Sequence, residues 1–95
     1  MIVERWTWQV KPARQSEFIE LVKATVEALG LTPRVCSYRF GAVDTVSSDL
    51  EFETFLDRTE WWDNYDPSLP EVVEWYEKYP DLTELGRTME LLIVH

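Results

Sequence analysis

From Ile2 to Val10 the chain alternates apolar and polar side chains (Ile2-Val3-Glu4-Arg5-Trp6-Thr7-Trp8-Gln9-Val10), the period expected of a strand with one buried face. Lys11-Pro12-Ala13-Arg14 then switches the pattern. Phe18, Leu21 or Val22, Thr25 or Val26 and Leu29 recur at helical steps, which predicts an amphipathic helix to about Leu29. Gly30 fits the left-handed position beyond its end, and Pro33 disfavours helix at Thr32. Val35-Cys36-Ser37-Tyr38-Arg39-Phe40 alternates again, Gly41 and Asp44 supply turn chemistry, and Thr45 to Phe52 reads as a second strand, so a hairpin is expected. Cys36 alternates with Tyr38 and Phe40, which predicts a buried, inert thiol.

Thr54 with Asp57 caps a helix on which Phe55, Leu56, Thr59 and Trp62 share a face. Asp66-Pro67-Ser68-Leu69-Pro70 interrupts it. Ser68 and Glu71 then form a capping box, and Leu69, Val72, Val73 and Tyr76 resume the stripe, so the second helical region is expected in two pieces. Pro80 is expected to stop it, Asp81 to Leu85 to add one turn, and Gly86 to release the chain into a strand from Arg87 to His95.

The order β-α-β-β-α-β predicts an α+β, ferredoxin-like domain over residues 1–95: a four-stranded antiparallel sheet with both helical regions on one face. The alternation leaves Val3, Arg5, Thr7, Ser37, Arg39, Leu92 and Val94 on the other face, too apolar a set to remain in water. Covering it with a second sheet predicts a homodimer.

Glu4-Arg5-Trp6-Thr7-Trp8, then Lys11-Pro12-Ala13-Arg14 and Glu17-Phe18, resembles the opening of the NIPSNAP family, in which an aromatic strand runs through Lys-Pro-Gly-Arg/Lys into a helix. Glu51-Phe52-Glu53 and the Trp61-Trp62 helix are similar to that family and its relatives. The resemblance implies a dimeric α+β barrel, a superfamily that includes antibiotic-biosynthesis-type monooxygenases and haem-degrading enzymes. Ala13 stands where the family usually has glycine, which argues against a positive φ there. The single histidine, His95, leaves no internal axial ligand of the usual kind for haem.

Composition narrows the partners. Eighteen acidic and nine basic residues give a net charge of −9, which repels nucleic-acid backbones and anionic membranes. One cysteine and a start at Met1-Ile2-Val3-Glu4, with neither a basic nor a long apolar leader, point to the cytoplasm. Five Trp, four Tyr and four Phe in 95 residues are a heavy aromatic load, suited to a core, an interface or a ligand pocket.

Trp6, Trp8, Tyr38, Trp62 and Tyr65 have two readings: plain core, or the walls of an apolar pocket between the sheet and the broken helical region, where the relatives place their ligands. Arg5 and Arg39 also have two: binders of an anionic or enolate-like group, or rim ion pairs, with Arg5 facing Glu90 across the sheet. The spread carboxylates Glu51, Glu53, Asp57, Glu60, Asp63 and Asp66 read as a solvated face, and no metal or cofactor motif is present.

The leading expectation is therefore a homodimer that binds a small apolar or aromatic molecule or serves as an assembly module. The alternative, which the resemblance implies, is a cofactor-independent monooxygenase of a phenol or quinol. Trp6, Trp8 or Trp62 would hold the ring, and Arg5 or Arg39 the developing oxyanion. A third reading is an interaction protein whose acidic face, including Glu71, Glu74 and Glu77, meets a basic partner.

Overall fold

The computed structural model describes residues 1–38 and 44–95, with Leu85 described through its backbone alone. The elements run β1 (Ile2–Val10), α1 (Gln15–Ala28), β2 (Arg34–Ser37), β3 (Thr45–Phe52), α2 (Phe55–Asp63), α3 (Pro70–Leu82) and β4 (Thr83–Ile93). Among the described residues the strands pair in the order β2-β3-β1-β4, each antiparallel to its neighbour. The architecture is α+β with helices packed on an antiparallel sheet. No helix among the described residues is long and apolar enough to cross a membrane.

Strand alternation decides which face carries the core. Ile2, Trp8 and Val10 of β1 and Val46, Leu50 and Phe52 of β3 bury against Phe18, Leu21, Val22 and Val26 of α1. The opposite face carries Val3, Arg5 and Thr7, with Ser47, Asp49 and Glu51 facing them from β3. On β2 the register differs by one residue from the sequence reading. Cys36 pairs with Ser47 and Arg34 with Asp49, so Cys36 and Arg34 share the open face, while Val35 and Ser37 turn to the helices. Cys36 is consequently exposed rather than buried. The open face is also more polar than expected, because Thr45, Ser47, Asp49 and Glu51 of β3 join the expected Arg5 and Thr7 on it. The expected strand positions Arg39 and Phe40 and the turn residue Gly41 lie outside the described residues.

α1 ends in a Schellman motif. Gly30 takes φ 83, its N–H donates to the Glu27 carbonyl, and the Leu31 N–H donates to that of Val26. Thr54 caps α2 by accepting from the Asp57 N–H at 3.1 Å. The capping box expected at Ser68 is absent. Ser68 instead donates to Asp66 through its hydroxyl (2.6 Å) and its N–H (2.9 Å), which lowers the Asp66 pKa, and α3 opens on Pro70. Pro80 does not stop this helix, which continues to Leu82. A proline so near the end loses only one intrahelical bond. β4 follows directly. Its pairing with β1 shifts between Trp8 and Val10, and Gly86, at φ 97, lies in the irregular stretch.

Ala13 takes φ 65, contrary to the expectation drawn from its side chain. Its Cβ therefore sits in the left-handed region, at a cost of roughly 1–2 kcal/mol, while glycine there would add unfolded-state entropy of up to about 1 kcal/mol. Ala13→Gly is expected to stabilise the fold by about 0.5–1 kcal/mol, read as a raised midpoint in urea; an unchanged or lowered midpoint would contradict it.

Candidate functional site

The broken second helical region shapes the site. α2 buries no residue fully, and it is held through its indoles and Arg58. Trp61 Nε1 donates to the Leu29 carbonyl at 3.0 Å, so α2 closes one of the open carbonyls at the end of α1. Trp62 Nε1 donates to Glu4 Oε1 at 3.0 Å, and Arg58 Nε to the same oxygen at 2.6 Å. Glu4 Oε2 accepts from Trp6 Nε1 at 2.7 Å. Glu4 is 0% exposed, a charge on the core face of β1 between Ile2 and Trp6 that is satisfied by one guanidinium and two indoles.

Between sheet and helices lies a cavity of about 370 Å³, within the range of small-molecule sites. Trp6 and Trp8 stand on its sheet side, Trp61, Trp62 and Tyr65 come from α2 and its exit, and Trp75 from α3. Trp6 and Trp8 stack at 6.3 Å between ring centroids, and the Trp8 ring meets Phe18 and Trp75 edge-on at 5.3 and 5.6 Å. Arg87, opposite Trp8 in the register, sets its guanidinium 5.2 Å from the centre of the Trp6 ring and 6.0 Å from that of Tyr79. A second, shallower hollow of about 550 Å³ is rimmed by Asp57, Glu60 and Asp66.

Four of the residues singled out in the sequence, Trp6, Trp8, Trp62 and Tyr65, meet at the cavity. Arg5 does not join them. It lies on the open face and makes a two-pronged contact with Asp49 at 2.8 and 3.1 Å, rather than with Glu90. That hydrogen bond, then the charge of Asp49, raises the Arg5 pKa. Tyr38 is exposed at the end of β2, and Arg39 lies outside the described residues. The arginine at the cavity is Arg87, which sequence reasoning missed along with Glu4, Arg58, Ser48 and Trp75.

Tyr65 donates to the Tyr76 hydroxyl at 3.1 Å, joining the exit of α2 to α3 beside the cavity. Burial first, and then Tyr76, pushes the Tyr65 pKa up to about 12. The folded state favours the protonated phenol. This stabilisation is complete below the ordinary value of 10.0 and is lost as pH rises towards about 12. In an ultraviolet titration Tyr65 should ionise late, and Tyr65→Phe should remove that late step. A variant that retains it would show that another tyrosine is responsible.

No family model matches the sequence, and no curated protein matches it. Solved structures do. An uncharacterised NIPSNAP domain protein from Burkholderia xenovorans superposes with a TM-score of 0.79 at 13% identity, over 100% of this chain and 95% of the other. A NIPSNAP family protein from Agrobacterium tumefaciens gives 0.76 at 16% identity, over 99% and 85%. An antibiotic biosynthesis monooxygenase gives 0.67 at 10% identity, over 100% and 99%. The likeness is one of fold, and it lies with the families that the opening strand and turn of the sequence resemble.

Proposed function

We propose that this chain binds a small, largely apolar or aromatic molecule in the cavity between sheet and helices, as a cytoplasmic homodimer. The observation that carries the reading is the tryptophan-walled space itself, since a fold that needed these side chains only as core would close over them. Titration of the intrinsic tryptophan fluorescence with naphthyl compounds is expected to show saturable binding, one molecule per chain. No saturable change across such a panel, with the protein folded, would overturn the reading.

Two features support a second copy as the partner. Met89, Leu91 and Ile93 alternate along the edge strand β4 and are 43–58% exposed, an apolar stripe that edge strands seldom leave open. The open sheet face carries both signs of charge, in Arg5–Asp49 and Arg34–Glu51, so two copies related by a two-fold axis are able to set cation against anion. Native mass spectrometry should give twice the chain mass, with Cys36 slow to alkylate. A monomer with a reactive Cys36 would remove the dimer.

Arg87 favours a second reading, a cofactor-independent monooxygenase. It stands at the cavity, where Arg5 does not, and could steady a phenolate oxygen while Trp6, Trp8 and Trp62 hold the ring. In that reaction a phenol and dioxygen give a quinone and water, one oxygen atom ending on the ring carbon and the other in water. Oxygen uptake with naphthols and hydroquinones tests it. Uptake no faster than the uncatalysed rate would leave binding alone.

A further inference from the structure

The oxidisable rings of this protein touch one another in a chain of two branches that holds all five of its tryptophans. On one branch Trp6 stacks on Trp8 at 6.3 Å between ring centroids, Trp8 meets Trp75 at 5.6 Å, and Trp75 stacks on Tyr79 at 5.0 Å. Tyr79 leads on to Tyr76 at 6.3 Å. On the other branch Trp61 and Trp62 meet at 4.8 Å, Trp62 meets Tyr65 at 5.8 Å, and the Tyr65 hydroxyl donates to that of Tyr76 at 3.1 Å. Both branches end on Tyr76, which is 56% exposed. The fourth tyrosine, Tyr38, stands apart at the end of β2.

An indole or a phenol gives up a single electron to an oxygen-centred radical, whereas the phenyl rings of Phe18 and Phe52, which also touch the chain, do not. Electron transfer slows steeply with distance, so rings in near contact pass the vacancy on in short steps. Loss of an electron makes an indole N–H strongly acidic, and a base must hold the proton. Glu4, wholly enclosed, is that base for both branches. Trp6 Nε1 donates to its Oε2 at 2.7 Å and Trp62 Nε1 to its Oε1 at 3.0 Å, within the range over which a proton moves. A phenol whose proton is free to leave is oxidised more easily than an indole. Tyr76, open to water, meets that condition, so the vacancy runs downhill from the indoles to the surface.

We propose that this chain of rings is a relay that carries one-electron oxidation from the tryptophans to the surface at Tyr76. An alkoxyl or peroxyl radical takes an electron from an indole and a proton from solvent, and becomes an alcohol or a hydroperoxide. The N–H proton of Trp6 or Trp62 passes to Glu4 and returns when an electron arrives from the next ring. At the last step Tyr76 supplies the electron and releases its phenolic proton to water. The phenoxyl radical left there is within reach of a thiol in solution, which restores the hydrogen atom. The tryptophans are spared lasting oxidation. The relay needs no bound molecule, so it stands or falls separately from the ligand-site reading.

Pulse radiolysis with azide radicals, which oxidise indoles first, tests the relay on the full chain carrying Cys36→Ser, so that the exposed thiol does not intercept the radical. The indolyl absorption is expected to decay as the phenoxyl absorption rises, at a first-order rate that does not change with protein concentration. Tyr76→Phe, at an exposed position, should cut the phenoxyl signal and lengthen the indolyl lifetime, because the half-buried Tyr65 and Tyr79 lack its free route for the proton. Tyr38→Phe should change neither. Under peroxyl radicals generated in solution, mass spectrometry should find oxidation products at position 76, and in the Tyr76→Phe protein on the tryptophans instead. Indolyl decay that scales with protein concentration would overturn the relay. So would a phenoxyl signal that survives Tyr76→Phe undiminished but disappears with Tyr38→Phe.

Discussion

Arg58→Met should lower the stability of the fold by about 3 kcal/mol, and the melting temperature by roughly 12–20 °C, although Arg58 lies on a helix with no fully buried residue. The cause is the partner left behind. Glu4 is wholly enclosed, and among the described residues Arg58 supplies its one ion pair, at 2.6 Å. Two indole donors would remain, but neither carries a countercharge, and a buried ion that loses its partner typically costs about 3–5 kcal/mol. The Arg58 side chain is 24% exposed, so water reaching its place moderates the loss to the lower end of that range.

Glu4→Gln is expected to cost less, about 1–2 kcal/mol, because the cation it strands has access to solvent. The double variant should then be no less stable than Arg58→Met alone, a clear departure from additivity that urea unfolding of all four proteins would measure. Additive losses, or a melting temperature unmoved by Arg58→Met, would mean that Glu4 is not held as a charge by Arg58. The network also fixes two cavity walls, since Trp6 and Trp62 donate to the same carboxylate. A loosened Glu4 should therefore weaken probe binding even in molecules that remain folded.

The sequence made local features readable and left cross-strand ones obscure. β1 and β3, nine and eight residues long, carry enough apolar positions at period two to fix their faces, and the Thr54 cap and the Gly30 terminus depend on residues within a few positions of one another, so pattern and propensity suffice. β2 is only four residues long, too short for alternation to fix its face, and a one-residue slip placed Cys36 on the wrong side. Arg87 lies on the regular part of the β1–β4 ladder, on the face it shares with Met89, Leu91 and Ile93, so alternation alone placed it towards the helices; that a cavity opens there depends on the helices, which β4's own sequence does not describe. Glu4 did leave a trace. It is a charge on the strand face otherwise made of Ile2, Trp6, Trp8 and Val10, and such a residue demands a partner from elsewhere in the fold. The identity of that partner, 54 positions away, lay beyond any local pattern.

Val72→Phe should abolish binding of the naphthyl compounds, or weaken it by at least about tenfold, while the fold survives. Val72 is 1% exposed in the first turn of α3 and lines the cavity, so a phenyl ring placed there occupies space that the ligand would need. In a close-packed core such an enlargement costs about 1–3 kcal/mol. Here the neighbouring space of about 370 Å³ accepts the added atoms, and the net change in stability should stay within about 1 kcal/mol. The two readouts decide between readings that either one alone would confuse. Loss of binding with stability kept places the ligand in this cavity. Binding kept in a folded variant places it elsewhere, with the shallower hollow beside Asp57 and Glu60 the next site to block. A strongly destabilised variant would show that the tryptophans close around Val72 in solution, and the apolar load of this chain would then be core rather than receptor.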